Sequence, residues 1–333
     1  MTKKKKVLRK VERDADDIVK GIRKGIRTDL AQAITLVESN ANRHFDKSQE
    51  IIQQIMPKTG KSIRIGISGV PGAGKSTFIE AFGLYLCEQG HKVAVLAVDP
   101  SSSKTGGSIL GDKTRMEQLA RHPRAFIRPS PSSGTLGGVH RKTRESILLC
   151  EAAGFDVILV ETVGVGQSEA LVRDMVDFFL LLVLTGAGDE LQGMKKGIME
   201  LVDAIVVNKA DGENKVRAEK TAHEYKQILH FLQPATNGWE TKAFTCSALH
   251  NVDIDKAWIT VERFLRTTKD SGEFQKRRED QKKTWFYSSL KDHIERLFFE
   301  RDSVKRELPH LEEQIARNEL SVSLAIKNLL EKS

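Results

Sequence analysis

The stretch G-V-P-G-A-G-K-S, at residues 69–76, decides the fold of this chain. It matches the pattern G-x-x-x-x-G-K-[ST], in which the backbone N–H groups of a glycine-rich loop hold phosphates. The residues before it, I-R-I-G-I-S at 63–68, are typical of a short buried strand, and residues 77–88 have the apolar spacing of a helix. Strand, glycine loop and helix in this order direct a helix N-terminus at an anion. The sequence therefore predicts a nucleotide-binding α/β fold.

Each position of this loop has an expected task. Its glycines let the backbone wrap around phosphates without Cβ clashes. Lys75 is expected to reach the β- and γ-phosphates, and the hydroxyl group of Ser76 is expected to ligate Mg²⁺. The predicted nucleotide-binding residues of the loop are Gly69, Val70, Pro71, Gly72, Ala73, Gly74, Lys75, Ser76 and Thr77.

A second motif, N-K-A-D at residues 208–211, indicates that the base is guanine. It follows an apolar run, so it lies at the carboxyl end of a predicted strand, where open parallel sheets bind ligands. The carboxylate of Asp211 can accept from both the ring N–H and the exocyclic amine of guanine, whereas adenine offers no such pair of donors. The predicted base-binding residues are Asn208, Lys209 and Asp211, joined by Ser247, Ala248 and Leu249 after a later predicted strand at 243–246.

Acidic residues between the two motifs are candidates for a Mg²⁺ site. Asp99 ends the apolar run at 92–99, and Asp112 lies in the glycine- and serine-rich segment that follows, which suits an order–disorder switch. Because Mg²⁺ prefers oxygen ligands, both carboxylates are expected near the ion. An alternative for Asp112 is a cap for a helix that starts near residue 113. The predicted metal ligands are Ser76, Asp99, Asp112 and Glu161.

The stretch E-T-V-G, at residues 161–164, stands where GTPases usually have D-x-x-G. Glu161 is expected to hold Mg²⁺ through water, and Gly164 to donate its backbone N–H to the γ-phosphate. Small signalling GTPases place a water-orienting glutamine directly after this motif, but Val165 stands here and Gln167 comes too late to replace it. No arginine finger can be assigned, and four arginines near the glycine loops are expected to be mostly solvated: Arg115, Arg128, Arg141 and Arg144. Slow intrinsic hydrolysis is predicted.

Three longer stretches resemble one known family. The strand that ends in Asp99, E-T-V-G-V-G-Q-S-E at 161–169 and T-G-A-G-D-E-L-Q-G-M-K-K-G at 185–197 resemble the MeaB/ArgK group of P-loop GTPases, most closely over residues 30–265. The resemblance implies a GTPase chaperone that gates adenosylcobalamin loading and protection of methylmalonyl-CoA mutase or a related acyl-CoA mutase. It also implies that 185–197 is a third switch, in which Gln192 and Lys195 couple nucleotide state to the mutase. Lys75, Glu161, Gly164 and Lys195 are the predicted catalytic residues.

The predicted organisation has three regions. Residues 1–60 form an N-terminal helical extension, 61–268 a P-loop GTPase domain with a mainly parallel, doubly wound sheet, and 269–333 a C-terminal helical dimerisation region. In the first region, isoleucines at 18, 22 and 26 recur at helical spacing, and Thr28 is expected to cap a second helix.

The C-terminal region begins with an expected hinge, formed by Ser271, Gly272 and the charge run at 276–283. An apolar stripe at helical spacing follows, made of Phe286, Leu290, Ile294, Leu297 and Phe298, and Pro309 is expected to separate it from a last helix. Sixty residues cannot bury such a stripe alone. The stripe either packs on the nucleotide domain of the same chain or, as the family resemblance implies, forms a homodimer arm, which is the interpretation we prefer.

Composition restricts the class of protein further. The 333 residues, 39% of them hydrophobic, are enough for one α/β domain of about 220 residues with helical extensions, and the net charge of +8 decides little about partners. Three cysteines without pairing spacing indicate buried thiols in a reducing compartment. No apolar run approaches membrane-spanning length, and the lysine-rich N-terminus lacks a signal core. We expect a cytoplasmic protein that binds GTP or GDP with Mg²⁺ and has no nucleic-acid or membrane partner.

Two other functional classes stay open. A metal-insertion GTPase of the nickel type shares the architecture of a strand ending in aspartate, although the nine histidines here are scattered rather than closely spaced. A transport-associated kinase of the LAO/ArgK type would need an acceptor site and usually ATP, and Asp211 argues against adenine.

Overall fold

A computed structural model describes residues 13–39, 41–98, 116–129, 136–162, 168–186 and 196–331. The helices of these residues are α1 (Ala15–Arg23), α2 (Arg27–Glu38), α3 (Asn42–Ile55), α4 (Lys75–Glu88), α5 (Glu117–Arg121), α6 (Leu136–Ala152), α7 (Ser168–Arg173), α8 (Lys196–Met199), α9 (Lys215–His230), α10 (Asp255–Asp270), α11 (Glu273–Glu300), α12 (Asp302–Ala316) and α13 (Val322–Glu331). The strands are β1 (Ile63–Gly69), β2 (Val93–Val98), β3 (Ala125–Pro129), β4 (Val157–Thr162), β5 (Phe178–Val183), β6 (Ala204–Val207) and β7 (Lys242–Thr245).

These strands form one sheet in the order β3-β2-β4-β1-β5-β6-β7, and every neighbouring pair is parallel. β1 is the central strand. Strands β2, β3 and β4 form the half of the sheet on one side of it, and β5, β6 and β7 form the other half, which is doubly wound topology. Strands β4 and β5 are buried at every position, and a strand covered on both faces has a continuous apolar sequence. The predicted P-loop α/β fold with a parallel sheet is confirmed. The ends of β1, β2 and β7 lie within one residue of those expected, and β3 was not predicted.

Gly66 in β1 allows α7 to approach the sheet closely. A Cβ atom at this position would lie 2.5 Å from the ring of Phe179 and 3.0 Å from the side chains of Val172 and Val176. Because Val172 belongs to α7, the absence of a side chain at residue 66 lets this helix rest directly on the central strand. The contact fixes the position of the helix that begins at Ser168, directly after the segment that contains the E-T-V-G motif.

The N-terminal helices are an integral part of the core. Helices α1, α2 and α3 pack on one another and on α6. The side chains that fill this layer are at most 1% exposed and include Ile18, Ile22, Leu30, Ile34, Ile51 and Ile55. Helix α3 is not anticipated in the sequence analysis, because its surface positions are polar and its apolar stripe is narrow.

The helix boundary that was predicted near residue 26 is wrong. Helix α1 ends at Arg23, and Gly25 takes a left-handed conformation with φ 73°. The Ile26 N–H then bonds the Gly21 carbonyl at 3.0 Å and the Gly25 N–H bonds the Ile22 carbonyl at 2.8 Å, which is a Schellman C-cap. Ile26 is therefore the N-cap of α2, and Thr28 lies inside that helix instead of capping it.

Two buried aspartates hold the amino edge of the sheet together, and the first is Asp203 at the start of β6. It accepts from Arg173 at 2.8 and 3.2 Å and from the backbone N–H of Phe179 at 2.9 Å. Thr236 also donates to Asp203, and the Arg277 guanidinium lies 3.8 Å away. Burial lowers the pKa of Arg277, and the carboxylates of Asp203 and Asp177 oppose this effect. The carboxylate thus offsets the cost of burying guanidinium groups.

The second aspartate, Asp177, lies at the start of β5. Arg278 donates to its two carboxylate oxygens at 2.7 Å each, and the Arg64 N–H donates to it at 2.9 Å. Arg277 and Arg278 belong to the charge run at 276–283, which was expected to form a hinge. The run itself is helical and lies in α11, and the boundary between two compact units falls inside it, after Glu279. A turn precedes the run at Gly272, with φ 77°, and the hinge stays a prediction.

The chain divides into two compact units, Met1–Glu279 and Asp280–Ser333. In the second unit α12 and α13 contact each other, and Val304, Leu311 and Ala325 are buried. Pro309 does not separate helices as predicted, because it lies inside α12. The chain leaves the helical conformation at Arg301 instead, where ψ is 134°. Among the described residues, no helix combines the length and the apolar character that crossing a membrane requires.

Asp203→Ala is expected to lower the free energy of unfolding by about 3–5 kcal/mol, because Arg173 and Arg277 would stay buried without their carboxylate. Urea denaturation measures the change. The control is Glu224→Ala, which removes an exposed pair with Lys220 at 4.0 Å and should change stability by less than about 1 kcal/mol. Equal losses for the two variants would contradict the role of Asp203.

Candidate guanine-nucleotide site

The phosphate-binding loop connects β1 to α4 at the carboxyl edge of the sheet. Its shape depends on left-handed glycines, Gly72 with φ 80° and Gly74 with φ 83°, and Gly74 is the N-cap of α4. Gly69 must also lack a side chain, because a Cβ atom there would lie 2.5 Å from the carbonyl oxygen of Leu182. The first N–H groups of α4 therefore open onto the loop, where the helix dipole favours an anion.

Lys75 is held inside this loop. Its ammonium group donates to the carbonyl oxygens of Gly69 at 2.8 Å and Val70 at 3.4 Å. Burial lowers the pKa of Lys75, and the nearby carboxylate of Glu161 raises it in part. The site thus keeps a cation in a partly desolvated place, where its attraction for phosphate is stronger than in water.

The ends of β1 and β4 carry the polar groups next to this cation. Glu161 near the end of β4 is 6% exposed, and the Thr162 hydroxyl donates to the Ser68 hydroxyl at 2.9 Å across the two strands. Ser76 is half-buried at the start of α4, whereas Thr77 is exposed. Glu161 thus lies close enough to Lys75 to affect its charge, and Ser76 follows Lys75 at the start of α4.

The side chain of Asn208 joins three loops. Its amide nitrogen donates to the carbonyl oxygen of Ala73 in the phosphate loop at 2.8 Å, and its amide oxygen accepts from the Ala248 N–H at 3.1 Å. The Cys246 thiol lies 3.5 Å from the same oxygen, and Asn208 is 2% exposed. Burial raises the pKa of Cys246 to about 12, so the sulfur stays a protonated donor. The spacing between the phosphate loop and the base loops is thus set by one buried amide.

Asp211 is oriented by Ser247. The buried Ser247 hydroxyl donates to Asp211 Oδ2 at 2.5 Å, and the backbone of Ser247 pairs with that of Val252. A carboxylate has about four acceptor positions, so one bond from Ser247 leaves capacity for the two donors of guanine. Leu249 is 72% exposed beside this pair and offers an apolar surface for a flat base.

The structure brings together the predicted residues of the two motif loops, and their individual roles stay predictions. They are connected by the Asn208–Ala73 bond and the Ser247–Asp211 bond, and the negative charge of Glu161 acts on Lys75. Four predicted site residues lie outside the described residues, namely Asp99, Asp112, Gly164 and Lys195.

Two expectations about arginines are wrong. Arg128 forms an ion pair with Glu38, and Arg144 is 7% exposed and donates to the carbonyl oxygen of Asp174 at 2.7 Å. Burial lowers the pKa of Arg144 to about 10. These side chains are parts of the fold, since each holds α6 or β3 to a neighbouring segment, and they are not solvated surface charges.

The sequence analysis missed Asn214 and Cys246 as parts of the site. The Thr185 hydroxyl donates to the amide oxygen of Asn214 at 2.7 Å, and the amide nitrogen of Asn214 donates to the Lys209 carbonyl at 2.7 Å. An asparagine before a helix is typical of an N-cap, so the only local signal at residue 214 pointed to a different role. Cys246 could be found only as the residue before the predicted Ser247–Leu249 loop.

Asp211→Asn is expected to weaken guanine-nucleotide binding by about 2–4 kcal/mol, because a donor would face the donors of guanine. Binding of xanthine nucleotides should rise, since xanthine offers an acceptor at that edge. Calorimetric titration with GDP and with xanthosine diphosphate measures both changes. Glu213→Gln, an equal change of charge at an exposed neighbour, should leave both affinities as they are. Equal binding of ATP and GTP by the unmodified protein would refute the assignment of guanine.

Lys75→Ala is expected to reduce GTP turnover by at least about 100-fold and to weaken nucleotide binding, because this loop would lose its cation. Release of phosphate measures turnover. Lys215→Ala removes an exposed lysine outside the loop and serves as the control. Turnover within a few-fold of the unmodified rate would show that Lys75 does not serve the phosphates.

Comparison with known proteins identifies the family. The family model of methylmalonyl-CoA mutase-associated GTPase MeaB matches residues 30–303. A probable GTPase of Mycobacterium tuberculosis is 49% identical over 316 residues, which are 95% of this chain and 94% of the relative. The mitochondrial methylmalonic aciduria type A homolog of Mus musculus is 45% identical over 331 residues, covering 96% of this chain and 80% of the relative.

A solved structure supports the fold as well. The crystal structure of an LAO/AO transport system kinase matches with a TM-score of 0.76 and 40% identity, and the match covers 95% of this chain and 96% of the other. The two nucleotide motifs, their arrangement at the carboxyl edge of the sheet and the family match agree with one another. The chain therefore belongs to the MeaB family of methylmalonyl-CoA mutase-associated GTPases, and it is a guanine-nucleotide-binding GTPase.

Proposed function

We propose that this GTPase is a chaperone that binds an adenosylcobalamin-dependent methylmalonyl-CoA mutase, or a related acyl-CoA mutase, and gates the loading and protection of its cofactor. The observation that carries the proposal is the match of residues 30–303 to a mutase-associated GTPase family. The site supports this proposal, because Asn208 connects the phosphate loop to the base-binding loops, so that contacts with the phosphates and contacts with the base can affect each other.

The residues of the site suit hydrolysis of the γ-phosphate with Mg²⁺. Lys75 and the N-terminus of α4 stabilise charge on the phosphates. The hydroxyl oxygen of Ser76 and the buried carboxylate of Glu161 are donors that a hard cation prefers. We assign the ion to these two residues and to Asp99 and Asp112. When bound, Mg²⁺ would neutralise charge on the β- and γ-phosphate oxygens.

The isolated protein is proposed to hydrolyse GTP slowly. Val165 stands where small signalling GTPases orient the attacking water with glutamine, so this group is missing from the motif. A turnover number on the order of 10⁻⁴ to 10⁻² per second is expected for such a site. The segment 185–197 is the proposed contact with the mutase, with Gln192 and Lys195 as its coupling groups and Gly164 as a γ-phosphate donor.

A homodimer formed by the C-terminal helices completes the proposal. The apolar stripe of α11 is open to solvent, with Phe286 62%, Ile294 57% and Leu297 49% exposed. Exposed large apolar side chains repeated along a helix are typical of an interface. A second copy of the stripe would cover it, and a short helical region gains stability from such pairing. We also propose a cytoplasmic location, with neither nucleic acid nor membrane as a partner.

Mixing the purified protein with a cobalamin-dependent methylmalonyl-CoA mutase tests the function. We expect at least about a tenfold rise in GTP turnover, because a partner that prefers the GTP state can complete the site. Lys195→Ala should lose the stimulation and keep its nucleotide affinity. Lys226→Ala, an exposed lysine of α9, is the matched control and should keep both.

Asp211→Asn provides an internal check on this experiment. With xanthosine triphosphate it should still respond to the mutase, since only base recognition is changed. An unchanged rate, with no complex under any nucleotide, would remove the mutase proposal and return the metal-insertion and transport-kinase alternatives.

A further inference from the structure

The side chain of Asn214 connects the loop after β5 to the guanine-binding loop. Thr185, two residues after the end of β5, donates its hydroxyl to Asn214 Oδ1 at 2.7 Å. Asn214 Nδ2 donates to the carbonyl oxygen of Lys209 at 2.7 Å. Lys209 lies between Asn208 and Ala210 in the N-K-A-D motif. One amide thus touches two segments that are separated by β6 in the chain.

The orientation of this amide follows from its partners. A backbone carbonyl oxygen can only accept, so the nitrogen of Asn214 must face Lys209. The oxygen then faces Thr185, whose hydroxyl must donate. Reversing the amide would place its oxygen against the Lys209 carbonyl oxygen and break that bond.

The side chain of Asn214 does not cap the helix that follows it. The residue stands directly before α9, but with φ −78° and ψ −12° its backbone is already helical, as the last residue of the 3₁₀ turn Gly212–Asn214, and it lacks the extended conformation of a capping residue. Here the side chain makes no capping bond. The side chain therefore does not serve the start of the helix, and its two hydrogen bonds go to Thr185 and Lys209.

The Lys209 end of the bridge holds a strained backbone. Lys209 has φ 59°, a left-handed conformation that few residues other than glycine adopt. The bond from Asn214 to the Lys209 carbonyl supports this conformation directly. The residues on either side carry the site: Asn208 bonds the phosphate loop, and Asp211 is the base acceptor. A shift at Lys209 would therefore displace the groups that read guanine.

We propose that Asn214 is a positioning residue that makes guanine affinity depend on the position of Thr185. The inference rests on the guanine-nucleotide site of the proposed function and not on the mutase. Asn214 thereby links the loop after β5 to recognition of the base. By linkage, if the Thr185 contact raises the affinity for guanine nucleotide by some factor, bound nucleotide favours the Thr185 contact by the same factor.

Titration of the full chain with GDP, and separately with inorganic triphosphate, tests the proposal. Asn214→Ala and Asn214→Asp should weaken GDP binding about threefold to tenfold, the range expected for one net hydrogen bond, and change triphosphate binding by less than about twofold. Asn214→Asp is decisive. Its carboxylate still accepts from Thr185 and is favourable at a helix N-terminus, but it cannot donate to Lys209. A residue that served only the helix would therefore leave GDP affinity unchanged in this variant.

Thr185→Val tests the other half of the bridge. It removes the hydroxyl at equal shape and should weaken GDP binding about twofold to fivefold in the unmodified background, with no further effect in Asn214→Ala. GDP affinities equal to that of the unmodified protein, equal losses for GDP and triphosphate, or an additive effect of Thr185→Val would each overturn the proposal. Tight GDP binding by the unmodified protein, measured in the same series, keeps this result separate from any outcome with the mutase.

Discussion

The amide nitrogen of Asn208 and the carbonyl oxygen of Ala73 are 2.8 Å apart in space and 135 residues apart in the chain. A nucleotide has its base and its phosphates at a limited range of distances, so a site that reads both must hold two loops at a matching spacing before the ligand arrives. Here a buried side chain does this, since its oxygen also accepts from Ala248. The same contact requires a glycine at position 74, because a Cβ atom there would lie 2.8 Å from the Asn208 nitrogen. Gly74 of the first motif and Asn208 of the second therefore both follow from the close approach of the two loops.

Stability and function are placed at opposite edges of the sheet. The amino edge carries Asp177 and Asp203, which are fully buried and bonded to arginines, while the carboxyl edge carries the nucleotide loops. Buried ion pairs offset their desolvation only when the geometry is good and the remaining donors are satisfied, and both aspartates meet this condition through bidentate arginines and backbone N–H groups. The carboxyl edge can then keep polar groups turned toward a ligand without carrying the stability of the sheet.

The sequence predicts what local signals encode. Continuous apolar runs predicted β1, β2 and β7 to within one residue, and fixed spacing predicted the motif loops, but β3 was not predicted. Arg277 and Arg278 could not be predicted as buried, because a charge run looks solvated and the partner of Arg278 lies 101 residues away. Asn214 was missed for the opposite reason, since its position before α9 indicated a cap, whereas its backbone is already helical and its side chain bonds Thr185 and Lys209. Pro309 shows the same limit, because helix α12 tolerates a residue that usually ends a helix.

The connections around Lys209 and Glu161 act on different parts of a nucleotide. The base is common to GTP and GDP, so a link through Asn214 changes the affinity of both by the same factor. Discrimination between them requires a contact that senses the γ-phosphate, and Glu161 and Lys75, which lie close enough to affect each other's charge, are the proposed groups. A partner that moved only Thr185 would therefore speed or slow nucleotide release without preferring either state. A partner that also acted near Glu161 would gain a preference for GTP, and by reciprocity its own affinity would then depend on the nucleotide. Under these proposals, release and hydrolysis are separable, because they depend on groups at the ends of different strands.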